Sequence, residues 1–272
     1  TLCVQTGEIN VHYTHALDYL AYAYLQTGED REAGQIVKTA EQLQPPYSET
    51  SRSATAYSFA ALPARYALER RDWEAAAQLE PRMPSSFPWT KAHDPYVAIT
   101  HFARALAMSN LGRPEDASAD IDALRALRIS VASDNPYWAQ QIEIQELAAR
   151  AWQGFSRGEV EAAIEVMQQA AALEASTDKH AVTPGEVLPA AELYGDMLLA
   201  AGRHEQALAA YRSALQRAPL RLNSLYGAGK AAGGGGDDVM AKAYFVELRS
   251  ITSGAEEPRS RIREIRAFMK TG

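Results

Sequence analysis

The chain has 272 residues, 47% of them hydrophobic, with 34 acidic against 27 basic side chains and a net charge of −7. That length and apolar content suffice to bury an extended core, while the acidic balance argues against general phosphate-backbone binding, since nucleic-acid binders concentrate positive charge. The single cysteine, Cys3, excludes an internal disulfide and a cysteine-cluster metal site, and no apolar run approaches the roughly 20 residues that span a bilayer.

Between residues 11 and 43, Leu17, Leu20, Tyr24 and Leu25 fall at helical spacing, Gly28 interrupts them, and Ile36, Val37, Ala40 and Leu43 resume the pattern. A helical hairpin is predicted, ended by Pro45 and Pro46. Residues 54–70 and 73–79 form a second hairpin, its second helix cut short by Pro81 and Pro84. Pro63 inside its first helix predicts a kink or a late start. Residues 80–96 are too proline-rich for helix and make the longest irregular loop. A third hairpin takes 96–110 and 114–127, with Pro114 at a helix start where its missing N–H costs nothing. A fourth takes 137–156 and 160–173, a fifth spans 187–219, and a sixth runs over 222–251 around the glycines at 233–236. A last amphipathic helix, about 258–270, carries Ile262, Ile265, Phe268 and Met269 on one side and suits a cap.

The fifth hairpin, VLPAAELYGDMLLAAGRHEQALAAYRSALQRAP, shows why these pairs belong together. Antiparallel helices approach closely only where neither presents a bulky side chain. Taking Gly28, Arg71, Gly112, Gly158, Gly202 and Gly236 as turn positions, the residue seven earlier is Ala21, Ala64, Ala105, Ala151, Gly195 or Gly229. The residue five later is Ala33, Ala76, Ala117, Ala163, Ala207 or Ala241. With Pro219 as the stop, this spacing resembles the tetratricopeptide repeat. The resemblance implies an all-α, right-handed superhelical solenoid of six helix-turn-helix repeats in one domain over 1–272, at about 14–45, 54–84, 98–128, 138–174, 188–219 and 222–251, with helix near 70%. The turn positions lie 43, 41, 46, 44 and 34 residues apart. The longer intervals insert loops between one hairpin and the next, expected to line one edge of the array as a row.

The stretches KHAVTPGEVLPAAELYGDML, HALDYLAYAYLQTGED and FARALAMSNLGR resemble an uncharacterised group of bacterial tetratricopeptide-repeat proteins. Lys179, His180, Thr183, Pro184 and Gly185 match the lysine-histidine pair and Thr-Pro-Gly turn of that group, whereas Ala181 and Glu186 stand where proline is more usual. The group's members tend to carry further repeats upstream. Since the chain starts at Thr1 with a turn-like Gly7 before the first repeat, a fragment or processed form is expected. Upstream repeats or self-association should then cover the first repeat near Leu17 and Leu20. The compartment, bacterial cytoplasm or periplasm, stays open.

Catalytic motifs do not assemble. His12, His15 and Asp18 could share a helix face and ligate a metal, but this set recurs without one, and no metal or cofactor is assigned. His204 to Leu208, HEQAL, lacks the second histidine of a zinc-protease motif. Gly227, Gly229 and Lys230 lack the first glycine and the Ser/Thr of a phosphate loop. Asp116, Asp120 and Asp122 read as a solvated helix face, and Arg259, Arg261, Arg263, Arg266 and Lys270 as a basic side of the cap. Asp178 and His180, with His93 and Asp94 in another inserted loop, are the polar group from which a ligand-binding, metal-binding or enzymatic site could be built.

The favoured expectation is a protein-interaction scaffold without catalysis of its own, binding a peptide or partner protein in a concave groove. First helices line such a groove, which places His15, Asp18, Tyr22, Ser58, Arg65, Phe102, Trp152, Phe155, Glu192, Asp196, Asn223, Tyr226 and Lys230 there. Trp152 and Phe155 are expected at its centre, between Arg65 on one flank and Glu192 and Asp196 on the other. On that expectation Trp152→Ala costs about 2 kcal/mol of binding and Glu192→Gln little.

Overall fold

A computed structural model of the protein describes residue 9 and residues 11–44, 46–49, 52–178, 185–256 and 259–271. Helix accounts for 77% of the chain. Among the described residues there is no strand, only an isolated bridge between Ile9 and Tyr47. The α-helices are α1 (Val11–Thr27), α2 (Asp30–Glu41), α3 (Arg52–Arg70), α4 (Trp73–Ala77), α5 (Asp94–Asn110), α6 (Ser118–Val131) and α7 (Pro136–Ser156). They continue with α8 (Val160–Ala175), α9 (Ala190–Ala200), α10 (His204–Arg217), α11 (Leu222–Gly234), α12 (Asp238–Ile251) and α13 (Ser260–Thr271).

The helices pack in neighbouring pairs, α1 on α2 through α11 on α12. Every alanine of the small-residue register is buried to within 3% of full coverage. The two glycines of that register sit where a side chain has no room. A Cβ on Gly195 would lie 2.8 Å from the Tyr211 ring, and one on Gly229 would lie 2.3 Å from Phe245. The six turn positions share one backbone conformation, with φ between 56° and 87°. Five are glycine, for which this left-handed region is free of Cβ strain. Arg71 adopts it at φ 56°, at a cost of about 1–2 kcal/mol for a residue with a Cβ.

First helices also pack on one another in sequence, α1 on α3, α3 on α5, α5 on α7, α7 on α9 and α9 on α11, and α11 returns to α1. They therefore surround a shared interior. Where the ends meet, the Leu222 N–H donates to Gln26 Oε1 at 3.0 Å, and Arg259 donates to Asp30 and to the carbonyls of Leu25 and Glu69. Helix α13 buries Ile262 and Ile265 against α11 and α12, and Ile262 reaches the turn at Gly28. Leu17 is thus covered by the chain's own helices, whereas Leu20 stays 42% exposed.

Some boundaries move. Helix α3 starts at Arg52 and runs through Pro63 without interruption or a late start. Helix α6 extends to Val131, into residues expected as loop, and α5 begins at Asp94 with Pro95 in its first turn. Cys3, Gly7, Pro45, Lys179, His180, Ala181, Thr183, Pro184 and Pro258 lie outside the described residues.

Candidate functional site

The interior holds two kinds of chemistry. Where the C-terminal end of α3 meets the N-terminal ends of α9 and α11 it is ionic. Arg221, completely buried, donates from Nη2 to Glu69 Oε1 at 2.6 Å and from Nε to Glu192 Oε2 at 3.0 Å. Glu192 also accepts from Ser224 Oγ at 2.5 Å and Arg71 Nη2 at 3.1 Å, and Arg71 bonds Asp196 as well. Asp196 accepts from the Tyr211 hydroxyl at 2.7 Å, and Asn223 donates to Glu69 at 3.1 Å. Burial pushes the Glu192 carboxyl up, but Arg221, Arg71 and the hydrogen bonds outweigh it and hold it down at about 2. Each charge here has an opposite charge in contact, the condition under which buried ions are tolerated.

The second kind surrounds a piece of the chain itself. Just before α9 the described residues turn inward. Those from Gly185 to Pro189 enter the interior, where Arg65 donates to the Glu186 carbonyl at 3.0 Å and the Gly185 carbonyl at 3.2 Å. The Tyr57 hydroxyl reaches the Gly185 carbonyl at 3.4 Å, a longer and weaker contact. Val187 and Leu188 are buried. Arg65 is itself held by Asp18 at 3.3 Å and lies over the Tyr22 ring. Burial raises the Asp18 carboxyl against the pull of Arg65.

The segment is tied at its far end too. Glu174, buried in α8, accepts the Ala190 N–H at 2.9 Å on one oxygen and 3.0 Å on the other, holding the start of α9. Glu186 accepts from Arg217 at 2.8 Å, and Arg217 also donates to the Thr177 carbonyl. Burial, reinforced by the Glu186 carboxylate, pushes the Glu174 carboxyl up to about 8. Alongside the segment, Tyr57, Phe102, Tyr137 and Trp138 form an aromatic wall.

Set against this geometry, the expected groove residues divide. Asp18, Ser58, Arg65, Glu192 and Asn223 are buried and bonded within the chain, and Asp196 and Tyr22 are committed to internal partners. Phe102 is a buried wall residue. The expectation of a binding centre at Trp152 does not hold, because Trp152 is 9% exposed within the core and Phe155 packs half-buried beside it. Tyr226 and Lys230 both bond Glu264 of α13. His15 is half-buried against Tyr19, and Asp18 turns to Arg65 rather than to a metal set with His12.

In the other candidate site, His93 is buried, accepts the Thr90 N–H on Nδ1 and packs beside Phe87 and Trp89, so it shapes its own loop. Burial, with the nearby Arg52 and Arg82 guanidiniums, pushes its pKa down. Asp94 pairs with Arg82. His180 lies outside the described residues. The cap's arginines at 259, 261 and 266 bond groups of the chain itself.

Sequence patterns missed Glu69, Arg221, Tyr57, Trp138 and Glu174, since each lies on a helix face or in a linker that periodicity treats as ordinary. Arg71 carried a signal: it is the one non-glycine at six equivalent turns, and its strain accompanies a guanidinium that bonds two interior carboxylates. The chain matches no protein-family model and no curated protein.

Proposed function

We propose that the chain is a tetratricopeptide-repeat-like interaction protein, a right-handed superhelical array of helix pairs that holds a bent segment of a partner protein against its first helices. The observation that carries this is the hold on residues 185–189: Arg65 takes consecutive main-chain carbonyls, and two adjacent aliphatic side chains are buried. Hydrogen bonds to carbonyls read no side chain, so the same donors serve any main chain bent in the same way, while the pockets under Val187 and Leu188 supply selectivity. The chain's own segment is then a tethered competitor, present at the high effective concentration of a covalently linked ligand.

This differs from an open groove centred on Trp152. The partner segment takes the place of residues 185–189, and the ionic cluster beside it fixes the helices that form the walls. The test is isothermal titration of the peptide GEVLPA into the whole chain and into Leu188→Ala. Truncating Leu188 weakens only the tethered copy, so the variant should take the peptide at least roughly tenfold more tightly. A peptide that binds neither chain, or both equally, removes the reading.

A further inference from the structure

A cavity of about 50 Å³ lies between the Gly185–Pro189 segment and α7. Its lining includes Tyr57, Trp138, Gln141, Gln145, Glu174 and Leu188. At one probe sphere per water, it has room for roughly four water-sized groups, which is the size of an acetamide. Gln141 and Gln145 stand one helical turn apart on α7. Gln141 Nε2, a donor, and Gln145 Oε1, an acceptor, are both buried and have no hydrogen-bond partner among the described residues. A buried polar atom without a partner is left with its desolvation uncompensated. Two such atoms, of opposite character, belong to residues lining one small cavity.

The pair of atoms selects the chemistry of what fits. A cation can only donate, and would leave Gln141 Nε2 unanswered. An anion can only accept, would leave Gln145 Oε1 unanswered, and would meet the Glu186 carboxylate at the lining. Burial and Glu186 raise the Glu174 carboxyl to about 8, which weakens its pull on a cation, and the Glu186 carboxylate is already paired with Arg217. A lone hydroxyl carries donor and acceptor on one atom, whereas partners on successive turns, with Cβ atoms about 5–6 Å apart, suit a group that carries them on separate atoms. Planar walls from Tyr57 and Trp138 suit a planar group.

We propose that this cavity is a subsite for an uncharged amide, either a main-chain peptide group or an Asn/Gln carboxamide, bound between Gln141 and Gln145. The identification of its source as a partner's segment rests on the function proposed above; the amide preference does not. The test uses the whole chain, with NMR of the Gln141 and Gln145 side-chain NH2 groups and the Trp138 indole during titration with acetamide, N-methylacetamide, acetate and methylammonium. Saturable shifts with the two amides and none with the two ions are expected. Tighter binding of N-methylacetamide assigns the peptide group, and tighter binding of acetamide assigns the side-chain carboxamide.

Gln141→Leu and Gln145→Leu should each weaken amide binding by roughly fivefold or more, the equivalent of one neutral hydrogen bond, and a thermal melt establishes that each variant is folded. If a leucine variant does not fold, Gln145→Met supplies the same comparison with a flexible side chain. No saturable shift with either amide, or equal shifts with all four probes, overturns the subsite. Amide binding without GEVLPA binding would leave the subsite standing and remove the partner-segment reading; GEVLPA binding without amide binding would do the reverse.

Discussion

The two parts of the interior differ in which polar groups are satisfied: in the ionic part every carboxylate is paired, although Arg71 Nε and the nearby Gln26 Nε2 have no partner among the described residues. Around Arg221, the carboxylates of Glu69 and Glu192 each meet a guanidinium within 3.0 Å, and Ser224, Asn223 and Tyr211 fill further hydrogen-bonding positions. Around Trp138, two amide atoms have no partner among the described residues, and the walls are aromatic. A buried ion pair surrounded by hydrogen bonds is set for one arrangement and loses heavily when a member is removed. An unpaired donor and acceptor facing a cavity gain when something enters. Charge in the interior therefore marks what holds the helices in place, and an unpaired donor and acceptor on residues that line one cavity mark where a ligand fits.

The largest expected effect breaks the ionic part. Arg221→Met leaves Glu69 and Glu192 buried without their shared cation and should destabilise the fold by about 3–5 kcal/mol in urea denaturation. A loss below about 1 kcal/mol would mean that the network does not hold the interior. Trp152→Ala should cost about 3 kcal/mol of stability by leaving a cavity in the core. An unchanged melting curve with lost partner binding would restore Trp152 as a contact residue.

Glu192→Gln should cost about 2 kcal/mol at pH 7, because two arginines lose a shared carboxylate. Its pH dependence sharpens the comparison with Glu174. Glu192 lies at about 2 against an ordinary 4.5, so its contribution is present above pH 4.5 and lost as pH falls toward 2. Glu174 lies at about 8, so its contribution is complete below pH 4.5 and lost as pH rises toward 8. Stability measured against pH should lose its acid limb in Glu192→Gln and flatten between pH 4.5 and 8 in Glu174→Gln; unchanged profiles would separate these carboxyls from stability. The smallest effect is at the surface. Lys230→Ala removes a half-exposed pair with Glu264 and should change stability by about 0.5 kcal/mol or less.

Much of the fold was legible residue by residue. The spacing of Ala21, Gly28 and Ala33, repeated along the chain, located the turns and the helix crossings, because a left-handed turn and a close helix approach each exclude most side chains locally. Amphipathic spacing placed the last helix, whose Ile262 and Ile265 are buried while Phe268 of the same side stays 45% exposed. The candidate site was less legible. Arg65, Glu192 and Asp196 were correctly placed on first helices, but as a groove open to a partner.

The sequence by itself determined the helices, their pairing and their turns, since these follow from short-range periodicity and backbone sterics. Only the tertiary structure decided that α11 returns to α1, which brings Arg221 between Glu69 and Glu192 from 152 and 29 residues away. It also decided that residues 185–189 enter the interior and meet Arg65, 120 residues earlier. Those contacts depend on how successive pairs pack on one another and on the return of α11 to α1, which no single hairpin contains. A side chain read as exposed on one helix is therefore buried once the last pair has come round to the first.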